Sequence, residues 1–147
     1  AFLPTIGTSF VTTGAIDWSV LLIALPVGLI TDGILHSNNT RDTLTDRRAG
    51  IKTMAMGLGH KASAILYGFE VIFPYVWIGV LSIMGLMPIT TIVIFLTLAV
   101  AIGCAKTMMH SLEGGSGVIA DLDVRTANLQ LMFSALLTVA FIVAKFI

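Results

Sequence analysis

Four stretches, Trp18 to Ser37, Ala62 to about Leu86, Pro88 to Met109 and Ala127 to Phe146, each hold about 20 mostly apolar residues, the length that crosses a hydrocarbon core as α-helix. A chain with four such runs has few folds open to it. With 56% hydrophobic residues, 11% charged residues and a mean hydropathy of +0.99, it lies far from the balance of a soluble domain. The expectation is an all-α, polytopic membrane helix bundle forming one domain over residues 1–147, with residues 38–61 as a polar loop. Residues 1–13 are apolar but too short to span. They predict the end of a helix that begins earlier, as in a truncated or processed product, because they lack the basic n-region and initiating Met of a signal peptide.

Net charge is zero, but its distribution is informative. Arg41, Arg47, Arg48, Lys52 and Lys61 surround the loop after the first full span, and Lys106 and Arg125 flank the loop before the last one. By the positive-inside rule residues 38–61 and 110–126 are cytoplasmic. Lys145 remains on the far side, where it can snorkel to the interface. The stretch Gly114-Gly115-Ser116-Gly117, bracketed by Glu113, Asp121 and Asp123, reads as an exposed loop. A single cysteine, Cys104, supports neither a disulfide nor a metal cluster. No basic groove interleaved with aromatics is present, so nucleic-acid binding has no support.

Chemistry concentrates where the first full span ends. Asn38, Asp42 and Asp46 follow one another at four-residue steps, each about 40° past a full helical turn, so they share one face as long as the helix continues. Asp42 and Asp46 repel by about 1 kcal/mol in water-like surroundings and by more at lower dielectric. A divalent cation relieves that repulsion, and magnesium prefers one or two carboxylates with phosphate oxygens and water. Asn38 and Asp46 are about 12 Å apart in helix rise, which implies two ions or water bridges. Arg41, Arg47, Arg48 and Lys52 could then pair with a diphosphate, arginine through a bidentate fork. The competing reading is a solvated juxtamembrane helix whose charges neutralise one another. A Walker A loop is excluded, since Gly50-x-Lys52-Thr53 lacks the required glycine spacing and strand-to-helix context.

Ionisable groups inside the spans stand apart from this mouth. Asp32 and His36, one turn apart, are either a cavity-lining proton relay or acceptor-binding pair, with Asn39 as a further candidate, or polar groups satisfied by a neighbouring helix. Glu70 precedes Pro74 by one turn and is expected to bond carbonyls freed by a kink there. His60 is expected at the interface, and Lys106, His110 and Glu113 share helical spacing at the polar end of their span.

The series Leu25-Pro26-Val27-Gly28, Ile34-Leu35, Asn38-Asn39-Thr40-Arg41-Asp42, Asp46-Arg47, Gly50, Lys52-Thr53 and Leu58-Gly59 resembles the second aspartate-rich motif of the UbiA-type intramembrane prenyltransferases. Within that superfamily it is most similar to the dihydroxynaphthoate polyprenyltransferases of menaquinone synthesis. The similarity continues weakly through Gly7-Thr8 and Arg125-Thr126-Ala127-x-Leu129, and its specificity is concentrated in residues 25–59. The resemblance implies the C-terminal half of a nine-helix membrane fold in which two aspartate-rich motifs face each other across a cavity open to the cytoplasm. It further implies magnesium held by Asn38, Asp42 and Asp46, diphosphate held by Arg41, Arg47 and Lys52, and a polyprenyl group passed to an aromatic acceptor in a bacterial plasma membrane. Asp42 and Asp46 are the catalytic candidates.

This chain departs from the pattern in carrying no first aspartate-rich motif. Two expectations therefore stand side by side. One is a fragment of a longer magnesium-dependent polyprenyltransferase, not active as this chain alone. The other is a non-catalytic membrane subunit derived from the same fold, binding lipid or quinone within a larger complex.

Overall fold

The computed structural model describes all 147 residues as helices joined by short turns. In chain order these are α1 (Phe2–Thr13), α2 (Val20–Arg41), α3 (Thr43–Arg48), α4 (Met54–Leu58) and α5 (His60–Ile83). A 3-10 segment (Ile89–Thr97) leads directly into α6 (Leu98–Gly114), and a second (Ser116–Ile119) precedes α7 (Leu122–Val143). Four helical units are long and apolar enough to cross a membrane: Val20–Arg41, His60–Ile83, Ile89–Gly114 and Ser116–Val143. The protein is an all-α, polytopic integral membrane bundle, and the apolar runs predicted that class.

The element limits differ from the apolar runs for physical reasons. Helix α2 continues a full turn past Ser37 to Arg41, and α7 starts at Leu122, before Ala127. Helical hydrogen bonding is indifferent to side-chain polarity, whereas a count of apolar residues stops at the first polar cluster. The segment 38–61, expected as a loop, is mostly helical: it holds the last turn of α2 and all of α3 and α4. The run from Pro88 begins as nine residues of 3-10 helix, long for that geometry. Thr91 and Thr97 donate their hydroxyls to the carbonyls three residues back, Pro88 and Ile94, both at 2.8 Å.

Packing centres on α5, which contacts α2, α6 and the Ile89–Thr97 segment, while α2 also lies along α7. Tyr67, Tyr75, Ile78, Ile94, Met108, Leu129 and Phe133 are fully buried. Tyr75 meets Phe133 edge-on, ring centroids 5.5 Å apart. With no water in the hydrocarbon core, polar groups bond to other helices or to their own. Tyr67 bonds Thr126 at 2.6 Å, Tyr75 bonds Thr97 at 2.8 Å, Trp77 Nε1 donates to the Leu22 carbonyl at 2.9 Å, and Thr90 donates to the Ala140 carbonyl at 2.8 Å. Exposed Leu35, Ile65, Val76, Leu131 and Val139 suit the lipid side of a bundle.

Helices α2, α5 and α7 converge at Gly33. A Cβ there would lie 3.4 Å from Val71 and 3.6 Å from both Thr126 and Tyr67. Gly68, in α5, has no neighbour within 4 Å of such an atom. Gly33→Leu is expected to cost about 1 to 3 kcal/mol by overpacking, while Gly68→Leu leaves stability nearly unchanged. Thermal unfolding of the two variants in one detergent checks the contrast; equal melting points would contradict this packing.

Candidate functional site

The site forms where α2 ends beside the start of α7. The helix is interrupted at Asp42, whose backbone turns to φ −91° and ψ 6°. Hydrogen bonds from the Asp42 amide to the Asn38 carbonyl and from the Asp46 amide to the Asp42 carbonyl, both 2.9 Å, carry the four-residue repeat across the break. The three spaced residues nevertheless part company. Asn38 and Asp42 turn to one cation, Arg41, whereas Asp46 is half-buried and makes no side-chain hydrogen bond.

Arg41 uses its whole guanidinium. Its Nε donates to Asp42 Oδ1 at 2.9 Å, and Nη2 donates to Asp42 Oδ2 at 3.1 Å and to the Asn38 side-chain carbonyl. From the opposite side Nη1 reaches Asp123 Oδ2 at 2.9 Å and the Ala120 carbonyl at 3.0 Å. Five bonds match the five N–H donors of an arginine. This cluster ties the end of α2 to the start of α7, and in this arrangement no Arg41 donor is left for a phosphate. The Arg41 guanidinium beside Asp42 holds the Asp42 carboxyl below the ordinary carboxylate range, against a smaller opposing effect of partial burial.

The remaining basic candidates lie apart. Arg47 joins Arg41, Thr40, Thr43, His60 and Ser116 around a cavity of about 290 Å³ between the end of α2, α4 and the start of the second 3-10 segment. His60, exposed and expected at the interface, bonds Ser111 through Nε2 at 2.8 Å. Lys52 and Arg48 are exposed and outside this cavity. No three His, Cys, Asp or Glu side chains converge to hold a metal ion. Asn38, Asp42 and Asp46 are hard oxygen donors of the kind magnesium takes, in a number that suits an ion completing its shell with phosphate and water. A cation held by Asn38 and Asp42 would replace Arg41 as their partner.

His36 and Glu70 form a buried pair between two spans. Both are 2% exposed, and His36 Nδ1 lies 3.0 and 2.9 Å from the two Glu70 oxygens, joining α2 to α5. His36 is held through Nδ1 by a neighbouring helix, while its Nε2 is buried with no hydrogen-bond partner. Glu70, expected to bond carbonyls near Pro74, bonds His36 instead, because a buried ionisable pair stabilises both members more than a carbonyl stabilises either. Asp32 is exposed and lines an open groove, while Asn39 is half-buried without a side-chain hydrogen bond.

Asp123 and the Ala120 carbonyl are site groups that sequence reasoning missed. Gly114 to Gly117, read as an exposed loop, are exposed, while Ile119 just after them is fully buried. An acid in the first turn of the last span was the available signal, but nothing in it points across the chain to Arg41.

Comparison with known proteins places this geometry in context. Residues 1–117 match the sequence profile described as the UbiA prenyltransferase family. The chain is 51% identical over 63 residues to the UbiA prenyltransferase domain-containing protein 1 homolog of Drosophila melanogaster, covering 43% of this chain and 18% of that protein. It is 44% identical over 72 residues to UbiA prenyltransferase domain-containing protein 1 of Xenopus tropicalis, covering 49% and 21%. It is 27% identical over 137 residues to the 1,4-dihydroxy-2-naphthoate octaprenyltransferase of Bacillus subtilis, covering 93% and 43%. The matched stretches thus span less than half the length of these relatives. Animal and bacterial proteins both match, so the comparisons do not distinguish a bacterial plasma membrane from another membrane. No solved structure matches.

The Arg41 cluster makes a pH prediction. Because the Asp42 carboxyl is depressed in the folded state, its contribution is fully present above its unfolded value of about 4 and is lost as pH falls through the lower folded value. Acidification through that window should loosen α7 from α2, and Asp42→Asn should remove that pH dependence. Amide exchange of the first turn of α7, followed from pH 6 downward, is the measurement; protection that stays flat in the parent protein would contradict the clasp.

Proposed function

Because the chain belongs to the UbiA prenyltransferase family, we propose that it contributes to transfer of a polyprenyl group from its diphosphate to an aromatic, naphthoate-like acceptor in quinone biosynthesis. The observation that carries this reading is the Asn38, Asp42, Asp46 series at the polar end of a spanning helix, inside the matched stretch and followed at once by Arg47 and Lys52. The naphthoate acceptor is supported by the Bacillus subtilis relative, which matches 93% of the chain.

In this reading Asn38, Asp42 and Asp46 hold magnesium, which supplies charge neutralisation to the diphosphate as the allylic C–O bond breaks. Arg47 and Lys52 pair with diphosphate oxygens, and their fixed positive charge stabilises the leaving group more than the intact ester. Arg41 serves as counter-ion to Asp42 and donor to Asn38 before substrate arrives and turns to the diphosphate on release. The diphosphate departs with the electron pair of the broken C–O bond, a ring carbon of the acceptor bonds to the allylic carbon, and that ring position then loses a proton, or its carboxyl group as carbon dioxide, to restore the aromatic ring. In the menaquinone branch it is the carboxyl group that leaves.

A second reading, a non-catalytic subunit of a larger membrane complex that binds lipid or quinone, is favoured by one observation. Arg41 already pairs with Asp42 and Asp123 and donates to the Asn38 side-chain carbonyl within the chain, so these acceptors have partners without an ion.

The test uses the protein as expressed in its own membrane, assayed for prenyl transfer with and without magnesium. Asp42→Asn is expected to lower turnover by at least about a hundredfold, the scale on which loss of a charge-stabilising group acts, with the fold retained although the clasp between α2 and α7 is weakened. Asp123→Asn loosens the same arginine without touching the ligand series and is expected to retain most activity. Full activity in Asp42→Asn would remove the ligand assignment. An inactive parent protein that purifies with a partner at fixed stoichiometry would favour the subunit reading.

A further inference from the structure

Arg125 lies in the first turn of α7, two residues after Asp123, so the two side chains leave the helix about 200° apart. Asp123 meets Arg41 of α2. Arg125 turns the other way, to α6, where its Nη1 donates to Thr107 Oγ1 at 3.1 Å. The Thr107 hydroxyl itself donates to the Gly103 carbonyl at 2.9 Å. A Cβ on Gly103 would lie 3.8 Å from Arg125 Nη2, so the guanidinium rests close against α6. Arg41 fills its five donors, whereas Arg125 fills one and belongs to none of the ion pairs of the chain. Four N–H groups of a half-buried guanidinium therefore have no acceptor on the protein.

The surroundings sort by depth. Thr107 is about 10.5 Å of helix rise from Gly114, where a headgroup layer gives way to acyl chains. Lys106, next to Thr107, is exposed on the face of α6 away from buried Ala101, Cys104 and Met108. Deeper in the span the exposed side chains are apolar: Ile102 lies one turn below Lys106 on α6, and Met132 two turns below Arg125 on α7. The acids nearest the seam, Glu113 and Asp121, are exposed and lie on the water side, about 10.5 Å of rise from Lys106 and about 6 Å from Arg125. Screening weakens their hold on the two deeper bases.

We propose that the outer side of the α6–α7 seam binds an anionic glycerophospholipid, with its phosphate between Arg125 and Lys106 and its acyl chains over Ile102 and Met132. A guanidinium fork matches two phosphate oxygens, and basic pockets between spanning helices near a membrane face take anionic headgroups. Free inorganic phosphate could satisfy the bases but has nothing to lay over the apolar side chains below them. A zwitterionic headgroup would bring an ammonium toward the same bases. Both walls of the seam are consecutive helices of this chain joined by a short turn. The site lies across α7 from Asn38, Asp42 and Asp123, so the proposal is independent of the transfer reaction and uses none of its residues.

Native mass spectrometry of the protein purified from its own membrane, titrated with phosphatidylglycerol, phosphatidylcholine or inorganic phosphate, tests the proposal. One phosphatidylglycerol is expected to bind more tightly than phosphatidylcholine and to resist displacement by inorganic phosphate. Arg125→Gln should weaken that binding by about tenfold or more, the scale of a lost charge-assisted hydrogen bond. Arg125→Lys, which keeps the charge but loses the fork, should weaken it less. Lys106→Gln, at an exposed position, should weaken it about fivefold and decides the matter if Arg125→Gln does not fold. Unchanged phosphatidylglycerol binding in the glutamine variants overturns the proposal. So does phosphatidylcholine binding as tightly, or inorganic phosphate displacing the lipid at equal concentration.

Discussion

Inside a bilayer a polar group has only protein to bond to, and nearly every specific contact in this chain follows from that constraint. The backbone answers it with helices. Threonines answer it by donating to carbonyls in the preceding turn, as Thr31, Thr40, Thr107 and Thr126 do. Groups with more capacity must reach a second helix. Tyr67, Tyr75 and Trp77 lock α5 to α7, to the Ile89–Thr97 segment and to α2, and the His36–Glu70 pair does the same for two ionisable groups. The hydrophobic driving force that assembles soluble bundles is weak between helices already in lipid, so these polar links and close approaches such as Gly33 set which helices touch.

At the polar end the same accounting explains why Arg41 sits among Asn38, Asp42 and Asp123. Two carboxylates and an amide gathered at adjoining helix ends require a counter-charge, and the guanidinium supplies it with one N–H for each acceptor. This makes the end of α2 rigid relative to α7. In the proposed reaction a cation and phosphate would have to take over these partners from Arg41.

Much of the site was legible as residue types. The four-residue spacing of Asn38, Asp42 and Asp46, with basic residues close behind, marked the polar end of the span before any fold was known. Periodicity alone could not show that a single backbone turn at Asp42 separates the series, so that Asn38 and Asp42 meet Arg41 while Asp46 does not. Asp32 and His36 illustrate the same limit. They are one turn apart in sequence, yet an angular offset of about 40° on the helix puts His36 against Glu70 and Asp32 in an open groove.

The amino-acid sequence by itself determined the membrane class, the number of spans and the location of the polar mouth. These depend on local quantities: the length of apolar runs, the clustering of charge and the helical repeat. Only the tertiary structure decided the pairing of Arg41 with Asp123, of His36 with Glu70 and of Tyr67 with Thr126, which join residues 82, 34 and 59 positions apart. A bond between distant residues depends on which faces two helices turn to each other. That choice is made by the packing of the whole bundle at Gly33 and around the Tyr75–Phe133 contact, and no local pattern encodes it.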